Sequence, residues 1–302
     1  MADGSVTPAL SVAPASAGVT DDFVASALSV VSASAGLSVT AAVPAISVVS
    51  AITAISAGSA GSAVPSLPPP PARADGPVAM NPAVELLEVT KRFGPVTACD
   101  RVSFPVFPGE VHAVVGENGA GKSTLMGILS GFLRPDSGRV TVGGRELARG
   151  TPQRALRLGV GLCAQHFHLV PTLTGMENIL LGARGYRRFG RLSHRQQDAV
   201  RALMKKYGLK TPLEVPVEDL SVGEKERIEI VKLLHRDARV LILDEPTAVL
   251  APSEVETLFT VLRTLAREGR AVLFVSHKLP EVMAIADRVT VLRHGRVAGT
   301  LR

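Results

Sequence analysis

The chain has 302 residues and a formal charge of +6, with 4% aromatic residues and no tryptophan. Its two cysteines, Cys99 and Cys163, are too few for a disulfide-rich scaffold or a zinc ribbon. The average composition hides two different polypeptides. Residues 1–80 carry a formal charge of −3, whereas residues 81–302 carry +9 and are long enough to bury a core of ordinary size.

Residues 1–80 form a low-complexity segment. They contain 20 Ala, 14 Ser and 12 Val, and a Leu/Ile-Ser-Val unit recurs every 18 residues. Such small side chains bury too little apolar area to offset the entropy of ordering, so we predict disorder. No charge occurs between Phe23 and Ala72, but frequent Ser, Thr and Gly, together with Pro44, argue against a membrane span.

Met80 immediately precedes the change in composition. We interpret residues 1–79 as a mis-assigned start or a dispensable extension. A peptide from upstream of Met80, found in the native protein by mass spectrometry, would exclude the mis-assigned start.

A phosphate-binding loop is predicted after the first buried strand of the second segment. Residues 110–115 form an apolar run rich in β-branched side chains, and residues 125–129 are predicted to be helical. Between them stand Gly116, Glu117, Asn118, Gly119, Ala120, Gly121, Lys122, Ser123 and Thr124, which match G-x-x-x-x-G-K-[ST] in full. Backbone N–H groups of such a loop converge on phosphate oxygens. We expect Lys122 to bridge the β- and γ-phosphates and Ser123 to ligate Mg²⁺.

Two carboxylates, Asp244 and Glu245, end a second predicted buried strand at residues 240–243. Strand ends of this kind lie beside the phosphate loop in doubly wound folds. We expect Asp244 to hold Mg²⁺, directly or through water, and Glu245 to polarise the attacking water as general base. A solvated strand end before a turn at Pro246 is the alternative interpretation.

With both motifs in place, residues 84–301 resemble an ABC-transporter ATP-binding cassette. Residues 220–224, LSVGE, resemble the family's signature loop, usually LSGGQ, and open a helix predicted over residues 224–234. The resemblance implies an α/β fold of the P-loop NTPase class, with a RecA-like core, a small antiparallel β-subdomain and a helical insert at about residues 166–225. It divides the chain into a disordered extension, residues 1–80, and a cassette, residues 81–302.

The resemblance also implies roles for single residues. Gln165 resembles the Q-loop glutamine, which touches Mg²⁺ and links the nucleotide to the transmembrane partner. His277, after a predicted strand at residues 271–275, resembles the switch histidine that senses the γ-phosphate. Phe93 resembles the aromatic residue, usually Tyr, that stacks on adenine; the alternative is that it simply covers a small β-sheet. The implied catalytic set is Glu245, His277 and Gln165; the metal set is Ser123, Gln165 and Asp244; the nucleotide set is Phe93, residues 116–124, Ser221 and Gly223.

The finer pattern resembles one branch of the family. The stretches ILDEPTAVLAPSE and SHKLPEVMAIADRVTVLRHGRVAGT look like those of importers of simple sugars and nucleosides, and the likeness favours the nucleoside side. This resemblance implies an ATPase that binds ATP and Mg²⁺ on the cytoplasmic face of the membrane. It implies permease subunits and a second cassette as partners and a substrate-binding protein as an indirect one, and no nucleic acid is expected.

Three residues depart from the common family pattern. Ala251 stands where many cassettes carry the D-loop aspartate, Val222 replaces a glycine, and Glu226 stands where Gln is common. This branch normally carries two cassettes on one chain, and Arg302 stands where the first cassette would close. The sequence is therefore expected to be a fragment of a two-cassette protein or to pair with another chain. Because the family builds each ATP site from two cassettes, the resemblance implies that Ser221 and Gly223 act on ATP held by the other subunit.

The predicted insert contains helices at residues 178–181 and 193–207, which in the family meet the transmembrane subunits. Its basic run is expected to face anionic lipid headgroups or simply solvent, and comprises Arg184, Arg187, Arg188, Arg191 and Arg195.

Two other functions stay open. The charge of +9 would suit a non-membrane cassette ATPase acting on nucleic acid or the ribosome. Excision-type DNA-repair cassettes, however, carry zinc-binding cysteine sets that two cysteines cannot supply, and translation-factor cassettes usually have a charged helical linker that is absent here. An inactive single-cassette fragment is the other alternative.

Overall fold

The computed structural model describes residues 81–147, 151–165, 167–183 and 193–302. The predicted extension and the basic run, except Arg195, lie outside the described residues. In the described part, no helix is long and apolar enough to cross a lipid bilayer.

A six-stranded sheet forms the centre of the fold, with the strand order β10-β9-β3-β8-β7-β6. The strands β3, β9, β8, β7 and β6 run parallel, and β10 pairs antiparallel with β9. Their bounds are β3 Val111–Val115, β6 Val160–Cys163, β7 Val240–Asp244, β8 Ala271–Val275, β9 Arg288–Arg293 and β10 Arg296–Leu301. Every residue of β3 and β8 is buried, as expected for strands covered on both faces.

A smaller antiparallel sheet has the order β2-β1-β4-β5. Its strands are β1 Val84–Phe93, β2 Val96–Val106, β4 Ser137–Val142 and β5 Arg145–Glu146. Buried residues of β1, β2 and β4 share one apolar core with the central sheet, including Leu86, Phe104 and Val140. The predicted α/β architecture with a small antiparallel sheet is therefore confirmed.

Helices connect the strands of the central sheet, and several of them lie between β6 and β7 along the chain. In the described residues they are α1 Lys122–Leu129, α2 Pro152–Arg157, α3 Gly175–Leu180, α4 His194–Tyr207, α5 Val222–His235, α6 Pro252–Arg267 and α7 Leu279–Ile285, with a 3-10 turn at Val217–Asp219. The helix α3 begins three residues before the predicted start. Thr174 and Glu177 form a reciprocal capping box that fixes this earlier beginning.

Candidate functional site

The phosphate loop connects β3 to α1, as the motif requires. Neighbouring backbone atoms leave no room for a side chain at two of its glycine positions. Gly121 adopts φ +102°, and a Cβ there would overlap the carbonyl oxygen of Ala98 in β2. A Cβ on Gly116 would likewise overlap the carbonyl oxygen of Leu292 in β9. The Gly295 N–H donates to the Ala120 oxygen at 3.1 Å. The loop is thus held by β2 and by the turn between β9 and β10.

Lys122 is 7% exposed, and its ammonium group lies inside the loop. The Nζ atom donates to the carbonyl oxygens of Gly116, at 2.7 Å, and Glu117, at 3.0 Å. Lys122 is also the first residue of α1, so the N–H groups of the first turn have no acceptor within the helix. An ammonium group beside unpaired helix N–H groups is the arrangement that binds phosphate.

The carboxyl ends of β3, β8 and β7 meet at one edge of the sheet. Because β8 lies between β3 and β7, the segment after β8 leaves the sheet between the phosphate loop and the segment that carries Asp244 and Glu245. His277 follows β8, and its Nδ1 lies 3.0 Å from Glu245 Oε1. An ionised carboxylate can only accept, so in that state the proton of this hydrogen bond is on Nδ1, which donates to Glu245. The structure therefore brings the predicted general base and the predicted switch histidine into direct contact.

Burial raises the pKa of Asp244 above its ordinary value, the adjacent Glu245 carboxylate raises it further, and Lys122 opposes both effects. A carboxylate in this position is stabilised by an added cation. Among the described residues, no cluster of three His, Cys, Asp or Glu side chains suits a metal ion. A single carboxylate beside the phosphate loop, here that of Asp244, nevertheless fits Mg²⁺, because this ion is usually held by one or two carboxylates together with substrate phosphates and water.

Phe93 ends β1 with its side chain 47% exposed, so the ring is open to a planar ligand. The Lys91 Nζ lies 5.4 Å from the ring centroid. The neighbouring strand β2 contains Ala98, which touches Gly121 of the phosphate loop. The hairpin that carries Phe93 is therefore anchored against the phosphate loop.

Ser221 and Gly223 lie at the N-terminus of α5. Ser221 is the N-cap and forms a reciprocal capping box with Glu224. A Cβ on Gly223 would overlap the Glu254 carboxylate, which Arg227 Nη2 holds at 2.8 Å. Glu254 belongs to α6, so this contact joins the predicted signature loop to the segment that begins at Ala251.

Gln165 is exposed and lies two residues after β6. Because Cys163 pairs with Leu243 in the parallel sheet, Gln165 lies near the edge that carries Asp244. The following segment is held by α5: His168 N–H donates to Glu229 Oε1 at 2.9 Å, and Lys232 Nζ donates to the His168 oxygen at 2.8 Å. Sequence reasoning missed these two residues, although their three-residue spacing on a predicted helix indicated a common face.

Glu226, one of the departures from the family pattern, is 4% exposed. Burial raises its pKa to about 8, and the neighbouring Glu229 contributes in the same direction. The Cys163 thiol lies 3.9 Å from Glu226 Oε1. At neutral pH the protonated side chain is uncharged, as the more common Gln would be.

Replacement of Glu226 by Gln is expected to stabilise the protein increasingly as pH rises. The folded chain keeps a proton that the unfolded chain releases, so wild-type stability falls between pH 4.5 and about 8 and then levels off. The Gln variant lacks this loss of wild-type stability, which is at most on the order of 5 kcal/mol. Thermal unfolding between pH 5 and 9 measures the difference in Tm. The exposed Glu256→Gln variant in α6 is the control, and a pH-independent difference for Glu226→Gln would contradict the prediction.

The chain matches the family model described as "ABC transporter" over residues 99–248. It is 42% identical over 224 residues to the nucleoside import ATP-binding protein NupA of Lactococcus lactis, covering 74% of this chain and 44% of that protein. It is 48% identical over 223 residues to the ribose import ATP-binding protein RbsA 3 of Rubrobacter xylanophilus, covering 74% of this chain and 45% of that protein. The chain thus spans less than half the length of these relatives.

Solved structures agree with the sequence relatives. The ADP conformation of MJ1267, an ATP-binding cassette of an ABC transporter, has a TM-score of 0.67 at 25% identity, covering 74% of this chain and 91% of that one. A post-hydrolysis dimer of the cassette MJ0796, bound to ADP and Pi, has a TM-score of 0.64 at 25% identity, covering 72% of this chain and 98% of that one. The predicted P-loop NTPase class is confirmed, and the chain belongs to the ABC transporter family with the fold of its ATP-binding cassettes.

Proposed function

We propose that this chain is the ATP-binding and ATP-hydrolysing subunit of an ABC importer for simple sugars or nucleosides. The observation that carries the proposal is the meeting of three strand ends at one edge of the sheet. There, the phosphate loop with Lys122 lies beside the contacting pair of Glu245 and His277. Relatives named for ribose and nucleoside import support the substrate class.

The hydrolytic step follows from these side chains. Lys122 and the loop amides bind the phosphates, and the ammonium group offsets charge on the γ-phosphate. Glu245 accepts a proton from the attacking water as the new bond to phosphorus forms and the bond to the bridging oxygen breaks, which leaves ADP and phosphate. His277 orients Glu245 through Nδ1 and senses the γ-phosphate. Phe93 stacks on the adenine.

Ser123, Asp244 and Gln165 are the residues proposed to hold Mg²⁺. The ion, when bound, neutralises phosphate charge and orients the phosphates for in-line attack. Asp244 suits this role because its buried carboxylate, next to that of Glu245, gains from a nearby cation.

A second cassette completes the proposed site. Ser221 caps the N-terminus of α5, where helix N–H groups and the helix dipole favour an anion. In the proposed pair, Ser221 and Gly223 of each cassette face the γ-phosphate of ATP bound by the other. The dimeric post-hydrolysis state of MJ0796 supports the pairing of two cassettes. ATP binding closes the pair and hydrolysis reopens it.

The partner in transport is a pair of permease subunits at the cytoplasmic face of the membrane, where this subunit is peripheral. The segment after Gln165, with α3 and α4, is proposed to meet them. A substrate-binding protein delivers the sugar or nucleoside to the permease, so it acts on this subunit only indirectly.

Steady-state ATPase activity of the full chain tests the proposal directly. We expect Mg²⁺-dependent phosphate release, which rises when the chain is reconstituted in vesicles with its permease pair and a binding protein loaded with ribose or a nucleoside. The two loaded forms, compared at equal concentration, identify the substrate class.

Other outcomes of this assay would replace the proposal. Stimulation by ribosomes or nucleic acid, rather than by the reconstituted permease, would favour the non-membrane class of cassette ATPase. Nucleotide binding without phosphate release under any of these conditions would favour an inactive fragment.

A further inference from the structure

A second set of contacts, which includes two buried hydroxyl groups, joins the loops that carry Glu245 and His277. Thr247 and Ser276 are each 2% exposed, and both hydroxyl groups donate to the Glu281 carboxylate in the first turn of α7. The Ser276 contact measures 3.4 Å. Thr247 lies two residues after Glu245, and Ser276 directly precedes His277.

Lys278 closes this set of contacts into a ring. Its Nζ donates to the Thr247 carbonyl oxygen at 2.9 Å and lies 3.1 Å from Glu281 Oε1. Its backbone N–H donates to Ser276 Oγ at 3.0 Å. The loops after β7 and β8 are therefore tied together through one carboxylate and one ammonium group.

The contact between Glu245 and His277 is too weak to account for the relative position of the two loops. The imidazole is 53% exposed although the Glu245 side chain is only 16% exposed, and an ion pair or hydrogen bond with one partner open to solvent contributes about 1 kcal/mol. Such a contact cannot by itself hold two loops in register. Buried hydroxyl groups behave differently, because leaving one without a partner costs about 1–3 kcal/mol. The hydrogen bonds of the buried Thr247 and Ser276 hydroxyl groups are thus the stronger constraint on the two loops.

We propose that Glu281 is a positioning residue for ATP hydrolysis, which holds Thr247 and Ser276 so that Glu245 and His277 stay within hydrogen-bonding distance. The proposal rests on the roles proposed above for Glu245 and His277. Glu281 acts through the loops and does not touch the reacting atoms.

Replacement of Thr247 by Val removes the hydroxyl group at nearly constant volume, and Thr247→Ser keeps it. We expect Thr247→Val to lower kcat about tenfold or more, because small displacements of reacting groups have large effects on rate. ATP affinity should stay within about twofold, since the phosphate loop is unchanged, and Thr247→Ser should retain most of the wild-type kcat.

A double-mutant cycle with His277→Ala separates positioning from general damage. If Thr247 acts by placing His277 against Glu245, Thr247→Val has little further effect on kcat once the imidazole is gone. If the fold reduction in kcat of the double variant equals the product of the reductions in the two single variants, the proposal is overturned. So would a kcat for Thr247→Ser as low as that for Thr247→Val.

Hydrogen exchange of the nucleotide-free chain gives a readout that is independent of turnover. Glu245 N–H donates to the Val275 oxygen at 2.9 Å, so loosened loops expose it. We expect Thr247→Val, but not Thr247→Ser, to speed exchange several-fold in peptides covering residues 244–248 and 275–279, and unchanged exchange would overturn the proposal. Full turnover in Glu245→Gln would instead refute the proposed catalytic role of Glu245. The positioning role of Glu281 would then be tested by the hydrogen-exchange result alone.

Discussion

Glu245→Gln is expected to reduce ATP hydrolysis about a hundredfold or more while ATP still binds. A general base contributes about 10²–10⁴-fold to a rate, and an amide cannot accept the proton from water at neutral pH. The amide keeps the size of the carboxylate and can still accept the hydrogen bond from His277 Nδ1, now 3.0 Å from the carboxylate. The phosphate loop is untouched, so affinity for ATP should hold.

This variant should also accumulate a closed dimer in the presence of ATP and Mg²⁺. Hydrolysis is the step that reopens the proposed pair, and the substitution blocks it. Phosphate release, ATP binding and light scattering of the same sample measure the three effects. Glu256→Gln, the exposed control on α6, should behave as wild type, whereas undiminished turnover in Glu245→Gln would remove Glu245 from the role of base.

Lys122→Ala should abolish tight ATP binding. The Nζ atom sits within 3.0 Å of two loop carbonyl oxygens, so the ammonium group is already in place to meet phosphate. Hydrogen bonds to charged groups contribute about 1.5–3 kcal/mol each, so the loss of one or two corresponds to a fall in affinity on the order of 10²-fold.

Isothermal titration with ATP measures this fall directly. Lys205→Ala, which removes an exposed ammonium group from the last turn of α4, is the matched control for net charge. Because the Lys122 ammonium also holds loop carbonyls, thermal unfolding of the nucleotide-free variant must accompany the titration. Affinity within threefold of wild type in a folded Lys122→Ala chain would contradict the proposed role.

The phosphate loop and the acidic pair were predictable because each lies in a contiguous motif that follows a buried strand. The carboxyl ends of parallel strands lie at the same edge of a sheet, so motifs at those ends come together whatever the loops between them contain. His277 was predictable only from its resemblance to the switch histidine. Its contact with Glu245 depends on β8 lying between β3 and β7, and a sheet order is not encoded in any local pattern.

Other contacts had no signal in the sequence. Glu226 was recognised as a departure, but its raised pKa follows from burial in the assembled fold, where its contacts include Cys163, which lies 63 positions away. Ala98 in β2 and Gly295 in the turn between β9 and β10 both contact the phosphate loop, although they lie near opposite ends of the described chain. Pairings between distant residues of this kind leave no periodicity, so only the assembled fold reveals them.

The helix α5 has two attachments on one rigid element. Its N-cap is Ser221. Two to three turns further on, Glu229 accepts a hydrogen bond from the His168 N–H and Lys232 donates one to the His168 carbonyl oxygen. With 14 residues, α5 is about 21 Å long, and a helix of that length moves as a rod. The segment after Gln165 and the cap at Ser221 are therefore attached to the same rigid element, so the position of one constrains the position of the other.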